Sequence, residues 1–364
     1  MDTNTCLHLI PKSEGGIKQH FLSIVEGLLS MPLKHLVAGP KDKDFEDILR
    51  QLSIPYYSLN WSNRSDLINL CLLQQQCLSI LRKEDIKLVH SHGHKQSFTS
   101  RVAMGLTQKH PIKNIVTLHN FSPSSKAGRL LKKANQYLDN QTTRIIAVSK
   151  ALRDEEVLQL NHYKTKIIYN GIDLDKFQPI ARDHLETTNI GIIARLAPQK
   201  GIEYLLQAFK AISLDFPDVR LQIIGDGPEK GKLTKLANQL QLQEKVSFLG
   251  SIQDVRSVLA NLDIFVMPSI SEGLSIATIE AMAMAKPVVA SRTGGLIELI
   301  EDDKNGILVA PKDTLALAAA IRRLITNRSL RIEMSQKSKE RANTFFNKKT
   351  MQAQTIALYQ EILD

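Results

Sequence analysis

Only three of the 364 residues are cysteine, one is tryptophan, and aromatic side chains make up 5% of the chain. Cys6, Cys71 and Cys77 are odd in number and lack metal-ligand spacing, which argues against a disulfide framework and a thiolate metal site and fits a reduced compartment. No apolar run is long enough to span a membrane. The start, Met1 to Thr5, lacks a basic segment followed by an apolar one, so no secretory leader is read and a cytoplasmic location is expected. Few aromatics means few base-stacking platforms, and no nucleic-acid recognition module is visible despite a net charge of +10. The first strand is not followed by Gly-x-Gly-x-x-Gly, so the usual nicotinamide fingerprint is missing.

What is present is globular: 43% hydrophobic and 23% charged residues, in a chain whose length favours two domains. Residues 1–180 hold 24 Lys and Arg against 16 Asp and Glu, whereas the remainder holds 23 against 21. The basic surplus therefore sits in the first half. It suits a polyanionic partner (nucleic acid, an anionic lipid surface or a phosphorylated substrate) or a merely solubilising surface.

Short apolar runs alternate with helical periodicity, the pattern of parallel α/β units. Strands are expected at 6–10, 35–38, 88–90, 115–118, 145–147 and 166–168, with helices at 18–29 and 65–82. After a polar stretch at 173–186, taken as a linker, a second cycle places strands at 189–193, 220–224, 245–248, 264–267, 287–290 and 306–309. Its helices fall at 202–212, 229–240, 276–285, 315–326 and 329–343. The expected fold class is α/β, with two doubly wound domains facing each other across a cleft at the carboxyl ends of their strands. Residues 1–180 would form the first domain and 181–345 the second. A last helix near 350–363 would cross back, so that about 346–364 joins the first.

Several residues could carry chemistry. In 269–295, Glu272 and Glu280 flank a short loop and the start of an apolar helix, with Ser275 placed to cap it and its first N–H groups suited to a phosphate. The plainer reading is a core helix bearing two exposed glutamates. Gly15 and Gly16 lie between the first strand and first helix, where a backbone can approach a ligand or simply turn. Arg195 and Lys200 follow the first strand of the second half and could converge on a diphosphate or remain solvated. Gly225 to Pro228 form a glycine-rich turn, either a ligand approach or a tight connection. His119 sits where a strand should emerge. His90, Ser91, His92 and His94 look superficially like a metal cluster, but with His90 in a strand and no nearby cysteine or paired carboxylate, no metal site is expected.

Together these residues resemble the retaining, nucleotide-sugar-dependent glycosyltransferases of family four, which have the GT-B fold. The resemblance is carried by Asn170-Gly171-Ile172-Asp173 with Phe177, Ala194-Arg195-Leu196 with Lys200-Gly201, Ile224 to Pro228, Val246 to Gly250, Pro268-Ser269 through Glu272-Gly273, Glu280 to Ala283, and Pro287 to Ala290 with Gly294-Gly295. Glu14-Gly15-Gly16, Thr117 to His119 and Val148-Ser149-Lys150 extend it into the first half. It implies that Glu280 holds the ribose, and that Glu272 with the N–H groups of Gly273, Leu274 and Ser275 holds the donor sugar. It further implies that Arg195 and Lys200 neutralise the diphosphate, that Gly16 approaches it, and that His119 contacts the sugar. After Glu272-Gly273-Leu274 the chain has Ser-Ile-Ala-Thr where the family more often has bulkier residues or proline, which leaves the donor sugar undefined.

The expected reaction is transfer of a hexose or N-acetylhexosamine to an acceptor hydroxyl, in bacterial cell-surface polysaccharide, lipopolysaccharide or glycolipid synthesis. No cofactor or metal is expected, and a UDP-sugar is favoured over a GDP-sugar. The alternatives are a sugar-nucleotide epimerase on the same fold or a catalytically silent nucleotide-sugar-binding protein. In 124–140, Lys126, Arg129, Lys132 and Lys133 surround Leu130, Leu131, Ala134, Tyr137 and Leu138 at helical spacing. That pattern suits an anionic membrane surface, or a helix packed on its own domain.

Overall fold

The computed structural model describes residues 4–11, 15–60, 67–107, 111–122, 125–180 and 187–364. The chain forms two compact units, Met1–Tyr169 with Met351–Asp364, and Asn170–Thr350.

The first unit is built on seven parallel strands: β1 (Asn4–Leu9), β2 (Leu33–Pro40), β3 (Tyr56–Leu59), β4 (Ile86–His92), β5 (Lys113–Leu118), β6 (Arg144–Ala147) and β7 (Thr165–Ile167). Their order is β3-β2-β1-β4-β5-β6-β7, so the winding direction reverses between β1 and β4. The helices are α1 (Gly16–Leu28), α2 (Lys43–Gln51), α3 (Leu67–Lys83), α4 (His94–Gly105), α5 (Lys126–Leu138) and α6 (Lys150–Glu156). The expected strands are found, each within a few residues. β3 escaped sequence reading because four residues, Tyr-Tyr-Ser-Leu, give too little alternation. α4 escaped it because its buried face is Gln96, Ser97, Thr99, Ser100, Arg101 and Ala103, a polar stripe with no hydrophobic period.

The second unit has six parallel strands: β8 (Thr188–Ile193), β9 (Val219–Ile224), β10 (Val246–Gly250), β11 (Ile264–Met267), β12 (Val288–Ser291) and β13 (Gly306–Val309). Their order is β10-β9-β8-β11-β12-β13, with the reversal between β8 and β11. β11 to β13 are buried along their whole length, which explains their unbroken apolar sequences. The helices are α7 (Ile202–Asp215), α8 (Lys230–Gln239), α9 (Arg256–Asn261), α10 (Ile276–Ala283), α11 (Leu296–Leu299), α12 (Thr314–Thr326) and α13 (Arg328–Phe345), and α14 (Lys348–Leu363) has its first residues here.

The polar stretch after β7 starts inside the second unit. Ile172 N–H donates to Phe346 O and Lys348 N–H to Ile172 O, both at 2.9 Å, and a Cβ on Gly171 would lie 2.5 Å from Asn347 O. Residues 181–186 of the expected linker lie outside the described residues. From Met351 onward α14 belongs to the first unit, where Met351, Leu358, Tyr359 and Ile362 join Cys6, Ile24, Leu28, Leu88 and Ile115 in one core cluster.

Candidate active site

In doubly wound sheets, ligands bind beyond the carboxyl ends of the strands where the order reverses. In the second unit the loops after β8 and β11 meet there. The loop after β8 carries Arg195 and Lys200, and the loop after β11 carries Ser269 to Ser275. Lys200 Nζ donates to Glu272 Oε2 at 2.6 Å, and Ser269 Oγ donates to the same oxygen at 3.0 Å. Ile270 N–H donates to Gln199 O at 2.8 Å, tying the loops a second time through the backbone. Arg195 is exposed and forms no ion pair among the described residues, so Lys200 and Glu272 are joined while Arg195 stands apart.

Glu272 and Glu280 are both buried, 5% and 4% exposed, which overturns the reading of two exposed glutamates on a core helix. A buried carboxylate on a helix as apolar as α10 needs polar partners. Ser275 caps α10 as its sequence position predicts, its Oγ accepting from Thr278 N–H at 3.2 Å. Of the first N–H groups, that of Thr278 is therefore taken by the cap. Asn170 Nδ2 donates to Leu274 O at 3.1 Å, fixing the loop from behind, and its Oδ1 is buried without a hydrogen-bond partner.

The glycines of this unit keep the loops close together. A Cβ on Gly295 would lie 1.9 Å from Gly273 O, and Gly295 N–H donates to Glu272 O at 3.0 Å. A Cβ on Gly225, at φ +132°, would lie 1.9 Å from Ala194 O. The spacing of these glycines was legible in the sequence; that their backbone neighbours lie in other loops of the same site was not.

In the first unit, Gly15 (φ +62°) caps α1 and Gly16 begins it, both exposed; Glu14 lies outside the described residues. His119 follows β5 and is 6% exposed. It belongs to a cluster that sequence reading missed. His90 and His92 share one face of β4, His8 pairs with His90 across the strands, and His35 and His20 come from β2 and α1. His8 Nε2 and His35 Nδ1 are 3.1 Å apart, and His35 Nε2 is 3.3 Å from Leu28 O. The carbonyl can only accept, so His35 Nε2 donates and its Nδ1 accepts from His8. His90 meets Tyr359 Oη at 2.6 Å through Nδ1 and Thr117 Oγ1 at 2.7 Å through Nε2. Burial pushes the His8, His92 and His119 imidazoles well below the usual histidine range, and that of His90 down to about 3. These rings are neutral at pH 7. The cysteine judged absent from this neighbourhood is present as well, since Cys6, His8 and His35 hold donor atoms within 4.8 Å of one another.

The first aspartate of each Asp-x-Asp sequence, 42–44 and 173–175, has a partner in the fold: Asp42 caps α2 through Phe45 N–H at 3.1 Å, and Asp173 takes Lys348 Nζ at 3.2 Å. On α5, Lys126, Arg129, Leu130, Lys133 and Tyr137 face outward, with Leu130 and Tyr137 71% and 74% exposed. Lys132, expected in that set, instead binds Glu155 O at 2.7 Å and Glu156 Oε1 at 3.3 Å. Ser124 lies outside the described residues.

Comparison with known proteins is consistent across the chain. Residues 14–176 match the profile described as Glycosyltransferase Family 4, and residues 177–341 that described as Glycosyl transferases group 1. The chain is 27% identical over 387 residues to an uncharacterised glycosyltransferase of Methanocaldococcus jannaschii, covering 96% of this chain and 95% of that one. It is 28% identical over 331 residues to the Escherichia coli UDP-Gal:alpha-D-GlcNAc-diphosphoundecaprenol alpha-1,3-galactosyltransferase, covering 85% and 83%. The solved structure of Anabaena HepE in complex with UDP-glucose superposes with a TM-score of 0.83 at 22% identity, covering 98% and 99%. The fold is GT-B, two Rossmann-like domains each built on a parallel sheet. The chain belongs to the family-four glycosyltransferases, and it is an enzyme of the hexosyltransferase type.

Proposed function

We propose that this glycosyltransferase is a retaining, metal-independent enzyme that moves a hexose or N-acetylhexosamine from a UDP-sugar to an acceptor hydroxyl, in the assembly of a bacterial surface glycan or glycolipid. The observation that carries the reading is the Lys200–Glu272 pair at the reversal point of the second sheet, beside the capped start of α10. A lysine ammonium has three donors, and only one is spent on Glu272. The other two, with the Arg195 guanidinium, can meet the negative charge that grows on the diphosphate as the glycosidic bond breaks. A preorganised donor at such a position lowers the barrier by about 3 kcal/mol. Glu272, with the N–H groups of Gly273, Leu274 and Ser275, holds the sugar, and Glu280 the ribose. Gly225 lets the loops pack, while Gly15 and Gly16 give a backbone approach and His119 a sugar contact.

The uridine preference is supported by the UDP-Gal in the E. coli relative's name and by the UDP-glucose bound to Anabaena HepE. A thermal-shift series with UDP, GDP and ADP and their sugars tests it. UDP-sugars should raise the midpoint, because a ligand at 100 times its Kd adds about 2.7 kcal/mol. Stabilisation by GDP-sugars alone would overturn the donor assignment. Conversion of a UDP-sugar without any acceptor would overturn transfer in favour of epimerisation.

The outward face of α5 supports a lipid-linked acceptor at the inner face of the cytoplasmic membrane. Lys126, Arg129 and Lys133 suit anionic headgroups, while Leu130 and Tyr137 suit the interface. Co-sedimentation with vesicles should require anionic lipid and fall with salt. Binding indifferent to both, or unchanged in K126E/K133E, would remove this part of the reading.

A further inference from the structure

Among the described residues, three groups of buried side chains each hold donor atoms within 4.8 Å of one another: Cys6, His8 and His35; His8, His90 and His92; and His20, His92 and His119. They are not equivalent. Burial pushes the Cys6 thiol up to about 12, so it holds its proton and resists serving as a thiolate ligand. His90 already uses both ring nitrogens, on the hydroxyls of Tyr359 and Thr117.

The third group is His20, His92 and His119. His92 Nδ1 and His119 Nε2 are 3.3 Å apart, at the long end for a hydrogen bond. That separation matches the ligand-to-ligand edge of a tetrahedral ion whose metal–nitrogen bonds are about 2.0–2.1 Å. The other ring nitrogen, His92 Nε2, is buried with no hydrogen-bond partner, so among the described residues the long contact to His119 is the one hydrogen bond this ring makes. The ring of His20 stands edge-on to that of His119, with centroids 4.6 Å apart. His20 comes from α1, His92 from β4, and His119 from the residue after β5.

We propose that His20, His92 and His119 bind a divalent transition-metal ion of the zinc class, with its fourth position open. Neutral imidazoles suit borderline ions such as Zn2+, Co2+ or Ni2+ and do not suit Mg2+. The ion would be inhibitory and not a participant in transfer. This consequence rests on the assignment of His119 to the donor sugar, since an imidazole held by a metal is withdrawn from that contact.

The test uses untagged full-length protein and Zn2+ as the probe, in titration calorimetry, with Co2+ absorption reporting coordination. Wild type should bind one ion per chain and show the intense visible bands of tetrahedral Co2+. H20Q should weaken binding by at least about 100-fold, beyond the roughly 10- to 100-fold that loss of an outer-shell partner costs. H162Q, outside the cluster, should bind like wild type. Saturable one-to-one binding by wild type that H20Q and H119Q leave unchanged, or no such binding at all, overturns the site. If H119Q fails to fold, the wild-type spectrum and H20Q still decide. Zn2+ should also inhibit transfer, with recovery on adding a chelator. Binding without inhibition would keep the metal site and remove the His119 donor contact.

Discussion

Lys200 Nζ lies 2.6 Å from Glu272 Oε2, and this ion pair joins the two loops that meet where the second sheet reverses direction. Both side chains are largely shielded, 18% and 6% exposed. Removing one partner strands the other charge, which costs more than the pair itself contributes.

Lys200→Met should therefore destabilise the protein by about 3 kcal/mol, because Glu272 keeps only Ser269 as a side-chain donor among the described residues. K200M/E272Q should regain most of that loss. Urea unfolding of the four members of the cycle measures the coupling. Both single variants should also lose at least about 100-fold in kcat, the scale of one lost transition-state donor. Simple additivity in the unfolding cycle would show that the pair is not energetically coupled.

Two glycines predict opposite outcomes for one chemical change. Gly295→Ala puts a Cβ 1.9 Å from Gly273 O, so the loop carrying Glu272 must move. A stability loss of about 1–3 kcal/mol is expected, together with weaker UDP-dependent stabilisation. Gly231→Ala, in α8 with open space at its Cβ, should add about 0.5–1 kcal/mol by restricting the unfolded chain. Thermal midpoints of the two proteins with and without UDP check both signs.

These loops also show what the sequence could reveal. Strands β11 and β13 were readable residue for residue because strands buried on both faces are continuously apolar. The Ser275 cap and the glycines were readable because their backbone roles restrict residue type. The Lys200–Glu272 bond was not, since it joins residues 72 positions apart and depends on β8 neighbouring β11. The histidine cluster was hidden for the same reason. In sequence His8, His20, His35, His90, His92 and His119 are scattered, and the periodicity of β4 reports that a face is buried without reporting what covers it.

Arg101 illustrates a buried polar core that no hydrophobic period announces. It donates to Asp139 at 2.6 Å, to Thr142 at 2.8 Å and to Ser97 O at 3.1 Å, and it also bonds Asn135. Asp139→Ala should cost about 3–5 kcal/mol, because the guanidinium remains buried without its counter-charge. R101M/D139L should recover a substantial part of this. Denaturant midpoints at constant m-value measure the effect, and a loss below 1 kcal/mol for D139A would show that water reaches Arg101.

Tyr359 ties α14 into the first unit. It is fully buried, its hydroxyl lies 2.6 Å from His90 Nδ1, and Met351, Leu358 and Ile362 pack beside it. Tyr359→Phe keeps the ring and leaves His90 unpaired on one side, for an expected loss of about 1–3 kcal/mol. Ending the chain at residue 350 is far more severe. Each fully buried large side chain contributes about 1.5–3 kcal/mol, so losing four removes on the order of 8 kcal/mol. That is comparable to the whole stability of a domain, about 5–15 kcal/mol. The truncated chain should thus lose amide-exchange protection in β1, β4 and α1, whose residues Cys6, Leu88, Ile24 and Leu28 share this core. Protection in β8 to β13 should persist, since those strands belong to the second compact unit. Exchange followed by mass spectrometry separates the outcomes. Retained protection in β1 and β4 would mean that the first unit folds without α14, and loss throughout would mean that the two units unfold together.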